Sequence, residues 1–232
     1  MCGRAVLSTP VEEIAEIFAL DVPPEPMPAR YNIAPTQPIA MIVRSGDSGK
    51  RMLRLARWGL VPSWSQDLGV GAKMINARVE SLAEHRAFRE ALAARRCLVV
   101  VDGFYEWSPE GRTRQPYYVH RRDGRPLGLA ALWDSWRAPA GQILESCTIL
   151  TTASAPPVST LHDRMPLVLE LGDVDTWLDV ARRSPADLAC LTRPPSADSL
   201  VFHAVDKLVN SPANDVPACV LPAQDGTLRL FG

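Results

Sequence analysis

Apolar positions along the chain fall mostly in short runs and alternations of period two. Ile39–Arg44, Met52–Arg57, Cys97–Asp102, Tyr117–Arg121, Leu127–Leu132, Glu145–Thr151, Leu167–Leu169 and Leu200–Val205 each read as a strand. The helical period is rarer. Thr9-Pro10-Val11-Glu12-Glu13 offers an N-cap, a proline at the first helical position and an acidic first turn, predicting a helix from Thr9 to about Ala19. A second helix is expected from Ser81 to about Arg95, with Leu82, Phe88 and Leu92 along one side. A third is expected from about Asp173 to Val180, and a short fourth after Ser184-Pro185. Val22-Pro23-Pro24-Glu25-Pro26-Met27-Pro28 reads as a polyproline-like connector, and Ala138 to Gly141 as a hairpin loop.

Strands and helices do not alternate as βαβ units, which disfavours a doubly wound parallel sheet. The expected fold is α+β: a mainly antiparallel β core of barrel-like twisted sheets with a few peripheral helices. No internal repeat, low-complexity tract or long linker divides the chain, so residues 1–232 are expected to form a single domain.

Composition narrows the function classes. Apolar residues make up 47% and charged residues 22%, as in ordinary globular domains, and no apolar run is long enough to span a bilayer. No apolar signal segment precedes the folded-looking sequence, so a cytoplasmic protein is expected. Cys2, Cys97, Cys147, Cys190 and Cys219 form no C-x-x-C pair and meet no histidine at zinc-ligand spacing. Free thiols in a reducing compartment are therefore expected, with no metal site and no cofactor. Cys97, Cys147 and Cys190 lie in apolar company and read as small core residues. The net charge of −1 does not by itself announce a nucleic-acid partner. Apart from Lys50, Lys73 and Lys207 every basic residue is arginine, a bias that suits phosphate recognition and is equally a product of GC-rich coding.

Cys2 is the first chemical candidate, because removal of Met1 would make it N-terminal. Its amine, near pKa 8, and its thiol, near 8.5, would then both be reactive near neutrality. An amine and a thiol on adjacent carbons capture an aldehyde together: the amine forms an imine, and sulfur closes on the same carbon to give a thiazolidine. An internal cysteine cannot do this, since its nitrogen is an amide. A cysteine at position 2 can also be chance.

Asn76, in Lys73-Met74-Ile75-Asn76-Ala77-Arg78-Val79-Glu80, precedes the expected second helix, where a polar residue is common. Glu106 lies between Tyr105 and Trp107, and reads either as a desolvated carboxyl tuned towards general acid work or as a solvated strand-end residue. His162, beside Asp163 and Arg164, is either a tuned acid–base group or a surface turn. His85, His120 and His203 read as structural. Trp58 and Trp64 are packing residues or platforms for unpaired bases.

Taken in order, these segments resemble the SOS response-associated peptidase (SRAP) family, also described as abasic site processing proteins. The matching segments are Met1-Cys2-Gly3-Arg4, Tyr31-Asn32-Ile33-Ala34-Pro35-Thr36, the stretch from Trp58 to Trp64, and Asn76-Ala77-Arg78-Val79-Glu80. They continue with Asp102-Gly103-Phe104-Tyr105-Glu106-Trp107, Ile149-Leu150-Thr151-Thr152 and His162-Asp163-Arg164-Met165-Pro166. The resemblance runs from residue 2 to about residue 220, with conservative departures at Leu161 and Val101.

It implies a sensor or shield for abasic sites in single-stranded DNA, whose N-terminal cysteine forms a stable thiazolidine with the ring-opened sugar. Carried over residue by residue, Cys2 is the nucleophile and Asn76, Glu106 and His162 surround it. Arg4, Arg78 and Arg164 become phosphate-binding candidates, Pro35, Trp64 and Trp107 supports for splayed bases, and Thr151 a hydrogen-bonding position. Further expectations are self-cleavage that removes Met1, a monomer, association with the nucleoid when bound to DNA, and a link to the replication machinery. Two other readings stay open: an autopeptidase alone, or a non-catalytic single-strand binding module.

Overall fold

The computed structural model describes residues 2–46, 48–108, 114–183, 188 and 199–223. Long apolar strands build the centre. They are β3 (Pro38–Arg44), β4 (Arg51–Trp58), β6 (Arg96–Val101), β9 (Leu127–Arg137) and β10 (Ile143–Ala153). β3 pairs antiparallel with β4 and β6, β6 with β9, and β9 with β10; β10 then closes the ring by pairing parallel with β4. The result is a closed five-stranded barrel, with Met41, Val99, Leu129 and Ile149, all fully buried, on one face of its wall.

A second sheet runs in the order β13 (Leu200–Ala204), β8 (Pro116–Arg121), β7 (Gly103–Trp107), β1 (Ala5–Leu7), β2 (Arg30–Ile33). The chain passes from barrel to sheet at Asp102, between β6 and β7. Its carboxylate accepts from the Ser8 amide and hydroxyl at 2.6 and 2.7 Å and from the Thr9 amide and hydroxyl at 3.1 and 2.6 Å. Gly103 lets the strands converge there, since a Cβ would stand 2.3 Å from the Val119 carbonyl oxygen. Short strands finish the barrel rim: β5 (Asn76–Arg78) runs parallel to β10, β11 (Arg164–Pro166) antiparallel to it, and β12 (Val168–Leu169) pairs with β9.

All eight strands read from the sequence are present, and Ala138 to Gly141 is the loop between β9 and β10. The helices need correction. α1 spans Val11–Ile17 with Pro10 at the cap, because the Thr9 hydroxyl expected to cap it is spent on Asp102. α2 spans only Arg86–Ala94. Val79–Ser81 is a 3-10 turn, the chain is extended at His85, and the Arg89 guanidinium takes the Ala83 carbonyl at 3.0 Å. Leu82 is still buried, but from that turn. α3 spans Val174–Leu178 and is pinned to β6 by the Trp177 indole, which donates to the Cys97 carbonyl at 2.8 Å. The fourth expected helix lies outside the described residues.

Candidate active site at the amino-terminal end

Three short strands and one loop bring the candidate residues together. Cys2 leads into β1, Asn76 opens β5, Glu106 lies on β7, and His162 lies in the loop before β11. β5 exists because β10 has a free parallel edge beyond its pairing with β4, so Asn76 aligns with Ile149 and Arg78 with Thr151. The Trp58 indole fixes the same segment by donating to the Ile75 carbonyl at 2.9 Å. Gly59 permits the close approach, having φ +127° and no room for a Cβ, which would meet the Gly71 carbonyl oxygen at 2.4 Å. Asn76 is therefore a strand residue, not the prelude to a helix.

The Asn76 amide donates to the Cys2 carbonyl at 2.7 Å, while its Oδ1 is buried and accepts nothing among the described residues. Cys2 is fully buried, and burial, reinforced by the charge of Glu106, pushes its thiol well above the ordinary range. Glu106 is buried as well. Desolvation raises its carboxyl to about 7, only partly opposed by the terminal ammonium. A carboxyl there exists in both protonation states near neutrality, as an acid–base group must. The sequence alternatives for Glu106 thus resolve to the desolvated one.

His162 is partly exposed, and burial followed by the terminal ammonium lowers its pKa. The Arg164 backbone N–H donates to its Nδ1 at 2.9 Å, which the neutral ring alone can accept, so the proton of that form is on Nε2. The charge at the start of the chain contributes to the shifts of Cys2, Glu106 and His162 alike.

The DNA candidates divide. Arg4 and Trp107 form one cluster: Arg4 donates to Asn32 Oδ1 and to the carbonyls of Val209 and Asn210 at 2.9, 2.7 and 3.1 Å, and lies over the Trp107 ring. Arg78 and Arg164 share an open cleft of about 500 Å³ with Glu80, Ser81, Glu84 and Asp163. Arg78 is exposed, whereas Arg164 holds Glu80 in a two-pronged pair at 2.7 and 2.8 Å. Trp64 stands apart, 48% exposed, with the Arg86 guanidinium 5.0 Å from its ring centre. Pro35 lies half-buried in the turn after β2. Thr151 is fully buried, and its hydroxyl donates to the Ala77 carbonyl at 3.3 Å. The pairing of Glu80 with Arg164 and of Arg86 with Trp64 escaped the sequence reading, since a charged residue carries no signal until its partner is known.

Among the described residues no group of three or more His, Cys, Asp and Glu side chains is disposed to hold a metal ion, and no helix is long and apolar enough to cross a membrane. The four described cysteines are free and buried; Cys190 lies outside the described residues.

The protein is thus of the α+β class, with a buried cysteine next to the amino terminus held by an amide, and a buried carboxyl of near-neutral pKa, at its candidate site. The chain belongs to the SOS response associated peptidase (SRAP) family, which it matches over residues 1–212. It is 37% identical over 223 residues to the abasic site processing protein YoqW of Bacillus subtilis (strain 168), covering 95% of this chain and 99% of that protein. It is 33% identical over 210 residues to the abasic site processing protein HMCES of Gallus gallus, covering 80% of this chain and 62% of that protein. A solved protein from Bacteroides thetaiotaomicron has the same fold, with a TM-score of 0.84 at 24% identity over 96% of this chain and all of that one (100%). A second, from Bordetella bronchiseptica, gives a TM-score of 0.76 at 30% identity over 89% of this chain and 100% of the other.

Proposed function

We propose that this protein processes abasic sites in single-stranded DNA by cross-linking Cys2 to the ring-opened sugar. The observation that carries the reading is the convergence of Cys2, Asn76, Glu106 and His162 where the chain begins. Names of relatives support the substrate: YoqW and HMCES are abasic site processing proteins. Loss of Met1 frees the α-amine of Cys2. Removal by the protein itself would fit the peptidase in the family description.

The chemistry follows from the groups present. The Cys2 amine adds to the C1′ aldehyde, water leaves as the imine forms, and the thiol sulfur then bonds to the same carbon while its proton passes to the imine nitrogen. Glu106, near half-ionised at neutral pH, takes protons from the attacking ammonium and thiol and returns one to the departing hydroxyl. Asn76 holds the Cys2 carbonyl, which orients the amine and thiol towards one carbon. His162 assists opening of the sugar ring. Arg78, exposed on the cleft it shares with Arg164, is the candidate for a backbone phosphate, and Trp64 and Trp107 offer faces for unpaired bases.

The test is intact-mass spectrometry of the mature protein after incubation with a single-stranded abasic oligonucleotide. The expected product has the summed mass less one water. Cys2→Ala should give no adduct and still retard the oligonucleotide reversibly. An adduct formed by Cys2→Ala at the wild-type level would sink the mechanism, and binding with no adduct from the wild type would favour a non-catalytic module.

A further inference from the structure

One nitrogen of His162 has two claimants. The Arg164 backbone N–H donates to Nδ1 at 2.9 Å, and Oδ1 of Asp163 stands 2.7 Å from the same atom. A bare Nδ1 serves Arg164, and a protonated Nδ1 serves Asp163. The loop that creates this choice is fixed on several sides. The His162 N–H donates to the Val158 carbonyl at 3.1 Å, and the Ser154 N–H donates to the Asp163 carbonyl at 2.9 Å. The Arg164 guanidinium holds Glu80 and also donates to the Thr151 carbonyl at 2.6 Å. Asp163 is thus positioned through its backbone, although its side chain is 86% exposed.

We propose that Asp163 is a positioning residue that receives the Nδ1 proton of His162, so that His162 works as an acid through Nε2. The inference rests on the cross-linking reading above. The neutral ring carries its proton on Nε2, and a neutral imidazole N–H is too weak an acid to protonate a sugar oxygen. A solvent proton added at Nδ1 makes the imidazolium; Nδ1–H turns from Arg164 to Asp163, and Nε2–H becomes acidic. Ring opening then balances. The C1′–O4′ bond breaks with its electron pair remaining on O4′, which takes the Nε2 proton. The C1′ hydroxyl gives its proton to Glu106 and becomes the aldehyde. His162 ends neutral, with its proton on Nδ1 still held by Asp163.

The charges around His162 leave this task to Asp163. Burial, the terminal ammonium and Arg114, ahead of β8, all disfavour the imidazolium, and Asp163 is the carboxylate that opposes them. Glu80 is occupied by Arg164, whose charge it meets, and Glu106 on β7 is itself partly protonated near neutrality.

The experiment uses the mature chain without DNA. Long-range ¹⁵N–¹H spectra of His162 across a pH series report which ring nitrogens carry protons and the midpoint of the titration. Asp163→Asn should move the midpoint to lower pH, and Asp163→Glu should restore it. A midpoint that stays or rises in Asp163→Asn overturns the inference. A second arm compares trapping of the abasic oligonucleotide with trapping of propanal, which is already an open aldehyde. The ratio of the two rates at pH 6 should fall about two- to fivefold in Asp163→Asn, the size expected of an exposed charge pair. Equal slowing with both aldehydes would overturn the assignment of Asp163 to ring opening. Failure of the wild type with both aldehydes would break the cross-linking reading instead, with the His162 titration still readable.

Discussion

The barrel and its rim are built on different physical terms. The barrel strands are long, and side chains such as Leu98, Val99 and Leu132 on β6 and β9 are fully buried and apolar. The short strands around the candidate site, β1 of the second sheet and β5 and β11 of the rim, have three residues each. Polar side chains hold them: Asp102 ties Ser8 and Thr9, Asn32 accepts from Arg4 and donates to three carbonyls, and Arg164 bridges Glu80 to β10. Burial in the barrel favours the fold, whereas burial brings Glu106 towards neutrality and holds the Cys2 thiol protonated, against the near-neutral reactivity expected from the sequence. Stability and reactivity therefore reside in separable parts of one molecule.

A cavity in the apolar core between the barrel wall and its neighbours should give the largest loss of stability. Leu98→Ala removes a fully buried side chain and should cost about 2–5 kcal/mol in denaturant unfolding, with the cross-linking rate per folded molecule preserved. A proportional loss of that rate would erase the division between barrel and rim.

Glu106→Gln should act in the opposite sense. The folded pKa of about 7 lies above the ordinary value of 4.5, so the folded chain keeps a proton that the unfolded chain has released. The wild type therefore loses stability as pH rises from 4.5 to 7, and the penalty is complete above 7. At about 1.4 kcal/mol per unit, Gln should stabilise the protein by up to about 3 kcal/mol at pH 8 and by little at pH 4, while slowing cross-linking. Unfolding curves of both proteins at the two pH values check this. A destabilised variant at pH 8 would mean that the carboxylate is held by contacts stronger than its desolvation.

Arg78→Ala should have the smallest effect. Arg78 is exposed, so folding should be unchanged, and the salt slope of single-strand binding should fall by about 0.7 if the residue neutralises one phosphate. Titrations at several salt concentrations measure it. An unchanged slope would remove Arg78 from the path of the DNA.

The same division explains what was legible in the sequence. Barrel strands announce themselves because burial demands apolar runs, and Arg96–Val101 or Leu127–Arg137 can hardly be read otherwise. Rim strands such as Asn76–Arg78 carry no periodic signal, since their conformation is imposed by the open edge of β10. The over-long second helix came from a good helical composition interrupted at His85, where tertiary contacts set the backbone. Family motifs located Cys2, Asn76, Glu106 and His162, but the desolvation that tunes Glu106 is a property of the fold. The burial of Thr151 and the pairing of Arg164 with Glu80 were likewise invisible, because they depend on which face of β10 and β11 turns inward.

The central claim is that the α-amine of Cys2 is a reactant together with its thiol. An uncleavable extension before Cys2 leaves every side chain of the site in place, yet turns that nitrogen into a planar amide unable to form an imine. Mass spectrometry of the extended and mature proteins, on the same abasic oligonucleotide, compares the two directly. The account predicts a heat-stable adduct, at the summed mass less one water, from the mature protein and none from the extended one. The same adduct from the extended protein, at a similar rate, would show that another nucleophile does the work and that the assignment of Cys2 is wrong.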